Sequence, residues 1–339
     1  MSKSTIVVSP RERFSPTVSS LRSLFKTISD DVPVVVVDGG APSSICKEIE
    51  ALCKIRPFEW IHTDYFLTPN ESRNIGFERV NTEFVVFTDN DIIYESDWLD
   101  ALEKNMLDNK ADLVAPLICI GPPVFSQIHH AGGRLKKTIL KNGIELDEVH
   151  RLSAMPISDL NDVSAPVINE VTEFHTVLFR SEFVSEIGGF DERLITREHV
   201  DVALRAKTLK KVVTFEKKAV VTYMAKVHFE KNDLKYFLFR WSNALAEQSI
   251  DSFSETWGVY IDRKKILESW IGHHRARAIG TVYPVLKKLL GYRGYRKFIQ
   301  YLERTNNKKA FSSRINLGNP KVSLPLVKED VDKMLLEID

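Results

Sequence analysis

Two carboxylates one residue apart, Asp89 and Asp91, follow the run Glu83-Phe84-Val85-Val86-Phe87-Thr88. At that spacing they repel each other unless a cation or hydrogen-bond donors neutralise them, and their hard oxygens favour Mg²⁺ or Mn²⁺ over zinc. The local alternative is that one Asp caps the next helix and the other is solvated. The preceding run bears on the choice. After Glu83 it is apolar, β-branched or aromatic without polar alternation, which predicts a strand buried on both faces, as inside a parallel sheet. Ligands of open α/β sheets bind just beyond the carboxyl ends of such strands.

Other reactive side chains fall at similar places. Asp38 ends a second apolar run, Val34 to Val37, and precedes Gly39 and Gly40, which let a ligand come close to the backbone. There it either accepts hydrogen bonds from a ribose or base edge or caps the following helix. Arg73 lies in the polar stretch Asn70-Glu71-Ser72-Arg73-Asn74, read as a helix start. Its guanidinium suits a phosphate or the face of a base, or an ordinary surface ion pair. Glu198 and Asp201, three apart, share a helix face, with Arg205 as a partner for one of them. His129-His130 before Ala131-Gly132-Gly133 does not fit a helical metal motif and is expected in a loop. Trp241, Trp257 and Trp270 fit helix packing better than stacking on sugar rings.

The elements that must position these groups alternate from the start. Strands are expected at Thr5–Val8, Val34–Val37 and Phe58–His62, with helices between them around 18–28 and 41–54, Pro42 lying in the first turn of the second. A helix over 97–107 and a strand over 112–120 continue the rhythm, which calls for a parallel sheet with helices on both faces. Beyond Gly121-Pro122-Pro123 the pattern becomes irregular. A hairpin is expected over 134–144, turning at Lys141-Asn142-Gly143. Strands come next at 171–179, 212–215 and 219–225, with a short helix at 180–187. From Asp233 onward the chain reads as helical. Its best amphipathic stretch places Ile279, Val282, Tyr283, Leu286, Leu289 and Leu290 opposite Lys287 and Lys288.

The 339 residues suffice for one large domain and an appendage, and the apolar and charged fractions are ordinary globular values. Net charge is only +1, yet residues 263–314 hold fourteen Lys/Arg and two acids, about +12, leaving about −11 elsewhere. Such a stretch suits anionic lipid, a polyanionic acceptor or the acidic remainder of the chain, while no nucleic-acid motif accompanies it. Three cysteines without metal spacing argue for a reducing compartment. With no visible signal peptide and no apolar run of spanning length, the expected location is cytoplasmic, with peripheral membrane contact through the basic helices.

Taken in order, the segments resemble the family-2-like nucleotide-sugar glycosyltransferases of the GT-A fold. Val7-Val8-Ser9-Pro10 looks like the opening motif, and Val34 to Gly40 like the second strand with its base-contacting Asp. Ser72-Arg73-Asn74-Ile75-Gly76 resembles the Arg-Asn-x-Gly element, and Phe87 to Asp91 the DxD motif. Phe179-Arg180-Ser181 through Gly188-Gly189-Phe190-Asp191-Glu192 is similar to the segment entering the acceptor side. Glu198-His199-Val200-Asp201 with Arg205 takes the place of Glu-Asp-x-Asp…Arg.

The resemblance implies an α/β GT-A domain over 1–230, Rossmann-like, with a mostly parallel sheet and helices on both faces. A mostly helical, basic extension over 231–339 completes the chain. It also implies a Mn²⁺- or Mg²⁺-dependent enzyme that moves a sugar from a nucleoside-diphosphate donor to a hydroxyl of a glycan or lipid-linked acceptor, with inversion. Ser9, Asp38, Arg73 and Asp89 are then expected at the donor, and Asp91, Asp89 and His228 at the metal that offsets the diphosphate charge. Either Glu198 or His199 is the base, because His199 stands where the family has Asp. Two rival readings are a haloacid-dehalogenase-type phosphatase with Asp89 as nucleophile and a non-catalytic glycan- or membrane-binding protein on a transferase fold.

Overall fold

The computed structural model describes residues 2–162, 169–225, 229–315 and 317–338. The first half alternates as expected: β1 (Ser4–Ser9), α1 (Thr17–Phe25), β2 (Val34–Gly39), α2 (Ser43–Ile55), β3 (Glu59–Thr63), α3 (Pro69–Phe77) and β4 (Phe84–Asp89). Next come β5 (Ile92–Tyr94), α4 (Trp98–Asp108), β6 (Leu113–Ile120) and β7 (Gln127–His130), then a hairpin of β8 (Gly133–Leu140) and β9 (Gly143–His150). β10 (Thr176–Arg180), α5 (Ser181–Glu186), α6 (Glu198–Thr208) and β11 (Val213–Tyr223) follow. The remainder is helical: α7 (Asp233–Arg240), α8 (Asn243–Trp257), a π-helical stretch Lys265–Ile271, α9 (Gly272–Val282), α10 (Leu286–Ser312) and α11 (Lys328–Leu336).

Among the described residues nine strands form one sheet in the order β3-β2-β1-β4-β10-β6-β11-β5, with β7 beside β6. β1 to β4, β6 and β11 run one way, and β10 inserts antiparallel between β4 and β6. The central strands are buried on both faces, which is why their sequences do not alternate. Ile6, Val34, Val36 and Val86 pack with Leu21 of α1, Ile49 of α2 and Leu102 of α4. On the opposite face Val7, Val35, Val85 and Phe87 meet Phe183 of α5 and Val202 of α6. Helices therefore cover both sides.

Several local features differ from the sequence expectation. The segment from Pro69 is already helix, because Thr68 and Glu71 form a capping box ahead of it with Pro69 in the first turn. Arg73 thus sits inside α3 rather than at its start. A Cβ at Gly76 would lie 2.3 Å from Val7 Cγ1, so the missing side chain lets α3 approach β1. The two strands expected at 212–225 are one, β11, with an irregularity between Glu216 and Val220. The hairpin turns as expected, with Leu140 opposite Gly143.

The helices after residue 230 share the core of the sheet. Leu234, Phe237 and Trp241 belong to the cluster that holds Ile6 and Val34. The Tyr236 hydroxyl donates to the Pro10 and Leu67 carbonyls, each at 3.1 Å. Arg314, beyond α10, pairs with Glu71 of the α3 cap. Among the described residues no helix is long and apolar enough to cross a membrane.

Candidate active site

The carboxyl ends of β1 and β4 bring the first charged groups together. Asp89 at the end of β4 is buried. Its Oδ2 accepts from His175 Nδ1 at 3.0 Å, and its Oδ1 lies 3.4 Å from Arg73 Nη2. His175 Nε2 lies 3.1 Å from Arg11 Nη1, and the imidazole stacks on Tyr223 at 4.0 Å. Burial, with Arg11 adding to it, holds His175 well below its usual range. It is therefore a neutral ring that donates to Asp89 and accepts from Arg11. Arg73 is further fixed by Asn70 Oδ1 at 2.9 Å and lies 4.1 Å over the Phe174 ring.

Asp91 is buried just past the end of β4, with Oδ2 at 3.0 Å from Arg13 Nη2. Its Oδ1 is buried without a hydrogen-bond partner among the described residues. Burial pushes both carboxyls up, to about 6, while Arg73 pulls Asp89 down and Arg13 pulls Asp91 down. An orphaned carboxylate oxygen in this setting fits a cation. The third expected ligand, His228, lies outside the described residues.

The second group comes from α6 and the hairpin. His199 Nε2 lies 2.7 Å from Glu148 Oε2 on β9, and Glu198 Oε1 lies 3.6 Å from Arg240 Nη2 on α7. Burial works against the charged imidazole, but Glu148 and Glu173 outweigh it and carry His199 up to about 10. Burial alone would raise Glu148, but His199 and His150 outweigh it and hold the carboxyl far below the usual carboxylate range. Glu148, His150 and Glu173 gather ligand atoms within 4.8 Å of one another, and so do Asp38, Cys46 and His62. In both sets a histidine already pairs with each central acid. Asp201 turns away from this group. It accepts from Arg205 Nε and from Trp257 Nε1, both at 2.9 Å, and so joins α6 to α8.

Arg73, Asp89 and His175 from the strand ends line one cavity of about 550 Å³ together with Glu148, Glu198 and His199. Asn74 links α3 to the loop that leads toward α6. Its amide donates to the Phe190 carbonyl at 2.8 Å and to Glu192 Oε1 at 3.0 Å, and its oxygen accepts from Phe190 N at 2.9 Å. Trp241 and Trp270 form part of the wall with ring centroids 5.3 Å apart, whereas Trp257 is buried in packing.

Ser9, Asp38 and Asp91 do not line this cavity; Asp91 is buried beside it, next to Asp89. Ser9 is buried, with its carbonyl accepting from Asn90 N and its hydroxyl unpartnered among the described residues. Asp38 accepts from Ala41 N at 2.8 Å, closing the turn into α2, and from His62 Nδ1 at 2.9 Å. His129 and His130 lie on strand β7 rather than in a loop. Sequence reasoning missed Arg11, Arg13, Glu148, Glu173, His175 and Arg240. Arg11 and Arg13 follow the exit of β1, so the strand-end rule that selected Asp38 and Asp89 also selects them. The others carry no local signal.

Against known proteins, residues 12–271 match the family described as "Glycosyltransferase like family 2". The chain belongs to that family. A curated relative of this family-2 chain, the pre-mycofactocin glycosyltransferase of Mycobacterium tuberculosis, is 27% identical over 203 residues, 59% of this chain. The chain spans 38% of that relative's length. Among solved structures, GalNAc-T7 with UDP, GalNAc and Mn²⁺ aligns with a TM-score of 0.52 at 13% identity, covering 93% of this chain and 58% of its own. The mannosyltransferase PcManGT from Pyrobaculum calidifontis, in complex with GDP-Man and Mn²⁺, aligns at 0.49 and 13%, over 92% and 88%. The fold of the family-2 chain is GT-A, as the GalNAc-T7 likeness shows, and the family match removes the dehalogenase-type alternative.

Proposed function

We propose that this family-2 chain is a metal-dependent transferase that moves a sugar from a nucleoside-diphosphate donor to a hydroxyl of a glycan or lipid-linked acceptor, with inversion. The observation that carries this reading is the shared cavity, which brings Arg73 and Asp89 together with Glu198 and His199.

Asp91 and Asp89 would hold Mn²⁺ or Mg²⁺, with His228 as the third ligand that the family resemblance implies. When bound, the metal would offset charge on the departing diphosphate. The chain's own residues do the rest. Arg73, locked by Asn70 and Asp89, presents a fixed cation to the donor. His175 keeps the Asp89 carboxylate oriented through Nδ1–H.

On the acceptor side, a group that is already protonated cannot take a proton. His199, carried up to about 10 by its acids, is a cation at neutral pH. This favours Glu198 Oε, which lines the cavity beside Arg240, as the base. His199 then serves as a positioning cation for the acceptor. Half-exposed Trp270 on the rim offers an apolar face for a sugar ring. A single base calls for one displacement, in keeping with inversion.

A thermal-shift screen of nucleoside diphosphates and their sugars, with and without Mn²⁺, tests the reading, because binding to the native state raises its melting point. One nucleotide is expected to stabilise the protein only with metal. Asp91→Asn should weaken that metal-dependent binding by more than the 10–100-fold typical of losing an outer-shell partner. Equal binding by the variant removes Asp91 from the metal site. No response to any nucleotide removes the transferase reading and leaves the non-catalytic one.

A further inference from the structure

The sequence pattern places Leu286, Leu289 and Leu290 on one apolar face with Ile279 and Val282. The fold divides them. Ile279 is buried, while Val282, Tyr283 and Leu286 are half-buried. The chain then leaves the core: Val285 is 61% exposed, Leu289 76%, Leu290 44% and Tyr292 67%. Gly291 at φ 60° and ψ 175° breaks α10 here, and open space surrounds it. The next turns of α10 anchor the break. Tyr295 is buried with its hydroxyl donating to the Ala276 carbonyl at 3.1 Å, and Phe298 and Ile299 pack on the core. The apolar corner is thus fixed and outward-facing, unlike a frayed terminus.

Cations share that corner. Lys287, Lys288, Arg293, Arg296 and Lys297 all lie on this corner, and all five are exposed. No acid occurs between Glu268 and Glu303. Among the described residues the chain's acidic remainder forms no ion pair with them. Among the described residues the ion pairs of this region are Arg263–Asp251, Lys265–Glu145, Arg275–Glu303 and Arg314–Glu71, and none of the five takes part. Charge and apolarity therefore remain together and unpartnered on one protrusion.

We propose that the corner from Val285 to Lys297 docks this chain onto an anionic phospholipid surface, with Leu289 and Leu290 entering the headgroup–acyl boundary and the five cations facing lipid phosphates. Exposed aliphatic side chains next to exposed cations suit a bilayer, which offers hydrocarbon beneath negative charge. A nucleic acid offers the charge without the hydrocarbon, and a closed protein interface would leave five like charges to be matched. The same helical run carries Trp270 of the cavity wall through α9 into α10, so docking would set the cavity beside the membrane. The inference rests on the transferase reading only in making a lipid-linked acceptor the favoured substrate class; the docking itself is independent of catalysis.

Co-sedimentation of the full chain with vesicles of one part phosphatidylglycerol to two parts phosphatidylcholine tests it without any activity readout. Binding is expected to these vesicles and to fall at least about tenfold on pure phosphatidylcholine and in raised salt. Leu289→Ser with Leu290→Ser, solvent-exposed changes that leave the melting point in place, should cause a similar loss. Lys287→Gln with Lys288→Gln should weaken binding to the anionic vesicles alone. Absence of wild-type binding overturns the proposal, as does equal binding by the leucine variant. Concentration-dependent dimerisation abolished by the leucine variant would also overturn it, by assigning the corner to a second copy of the chain.

Discussion

His199 on α6 and Glu148 on β9 form an ion pair at 2.7 Å across the cavity wall, and Glu148 also stands 3.3 Å from His150. A helix of the main domain and a strand of the hairpin are thereby joined. His199 thus carries its own counter-ion at the cavity wall.

The pH dependence of this pair has a definite sign. His199 is carried above its ordinary value, to about 10, so its stabilising contribution is complete below about pH 6.5. It is lost as the pH rises through 10. We expect unfolding free energy to decline over that window by on the order of 5 kcal/mol at most, and the imidazole to stay protonated by NMR at pH 8. Glu148→Gln should remove the decline and bring the titration down. A wild-type His199 that titrates at its ordinary value refutes the pairing.

Glu198→Gln tests the base. Turnover is expected to fall about 10²- to 10⁴-fold while donor affinity is unchanged. His199→Gln should raise the acceptor KM more than it lowers kcat. The reverse pattern in steady-state kinetics would exchange the two roles.

Asp201 is predicted to matter for stability alone. It accepts from Arg205 and Trp257 with all three side chains buried. Asp201→Ala strands the Arg205 charge and should cost about 3–5 kcal/mol in urea denaturation. A cost below about 1 kcal/mol would show that the joint is not structural.

The sequence displays some of these features and hides others for physical reasons. β1, β2 and β4 announce themselves because strands covered on both faces need continuous apolar runs. Asp89, Asp91 and Arg73 are legible because strand ends and polar helix segments are local features. The position of Arg73 within α3 is also legible, in Thr68-Pro69-Asn70-Glu71, but only as a cap. The partners of these residues are hidden. His175 reaches Asp89 because β10 runs antiparallel beside β4, and its neighbour Thr176 pairs with Thr88. Glu148 reaches His199 only through the hairpin. Asp38 is engaged by His62 because the register of β2 on β3 sets those two residues opposite each other. Registers and inserted strands are tertiary facts that no single segment encodes.

The Tyr236 hydroxyl, shared between the Pro10 and Leu67 carbonyls, bears on how the protein could be shortened. A chain ending before Asp233 would leave both carbonyls without that donor and uncover the rings of Phe14 and Phe66, which now stand 4.6 and 5.4 Å from the tyrosine ring. The change in composition near residue 230 marks a change of element type, and the aromatic seam across it is continuous. Someone trimming the molecule for expression would do better to cut within a surface turn than at that boundary.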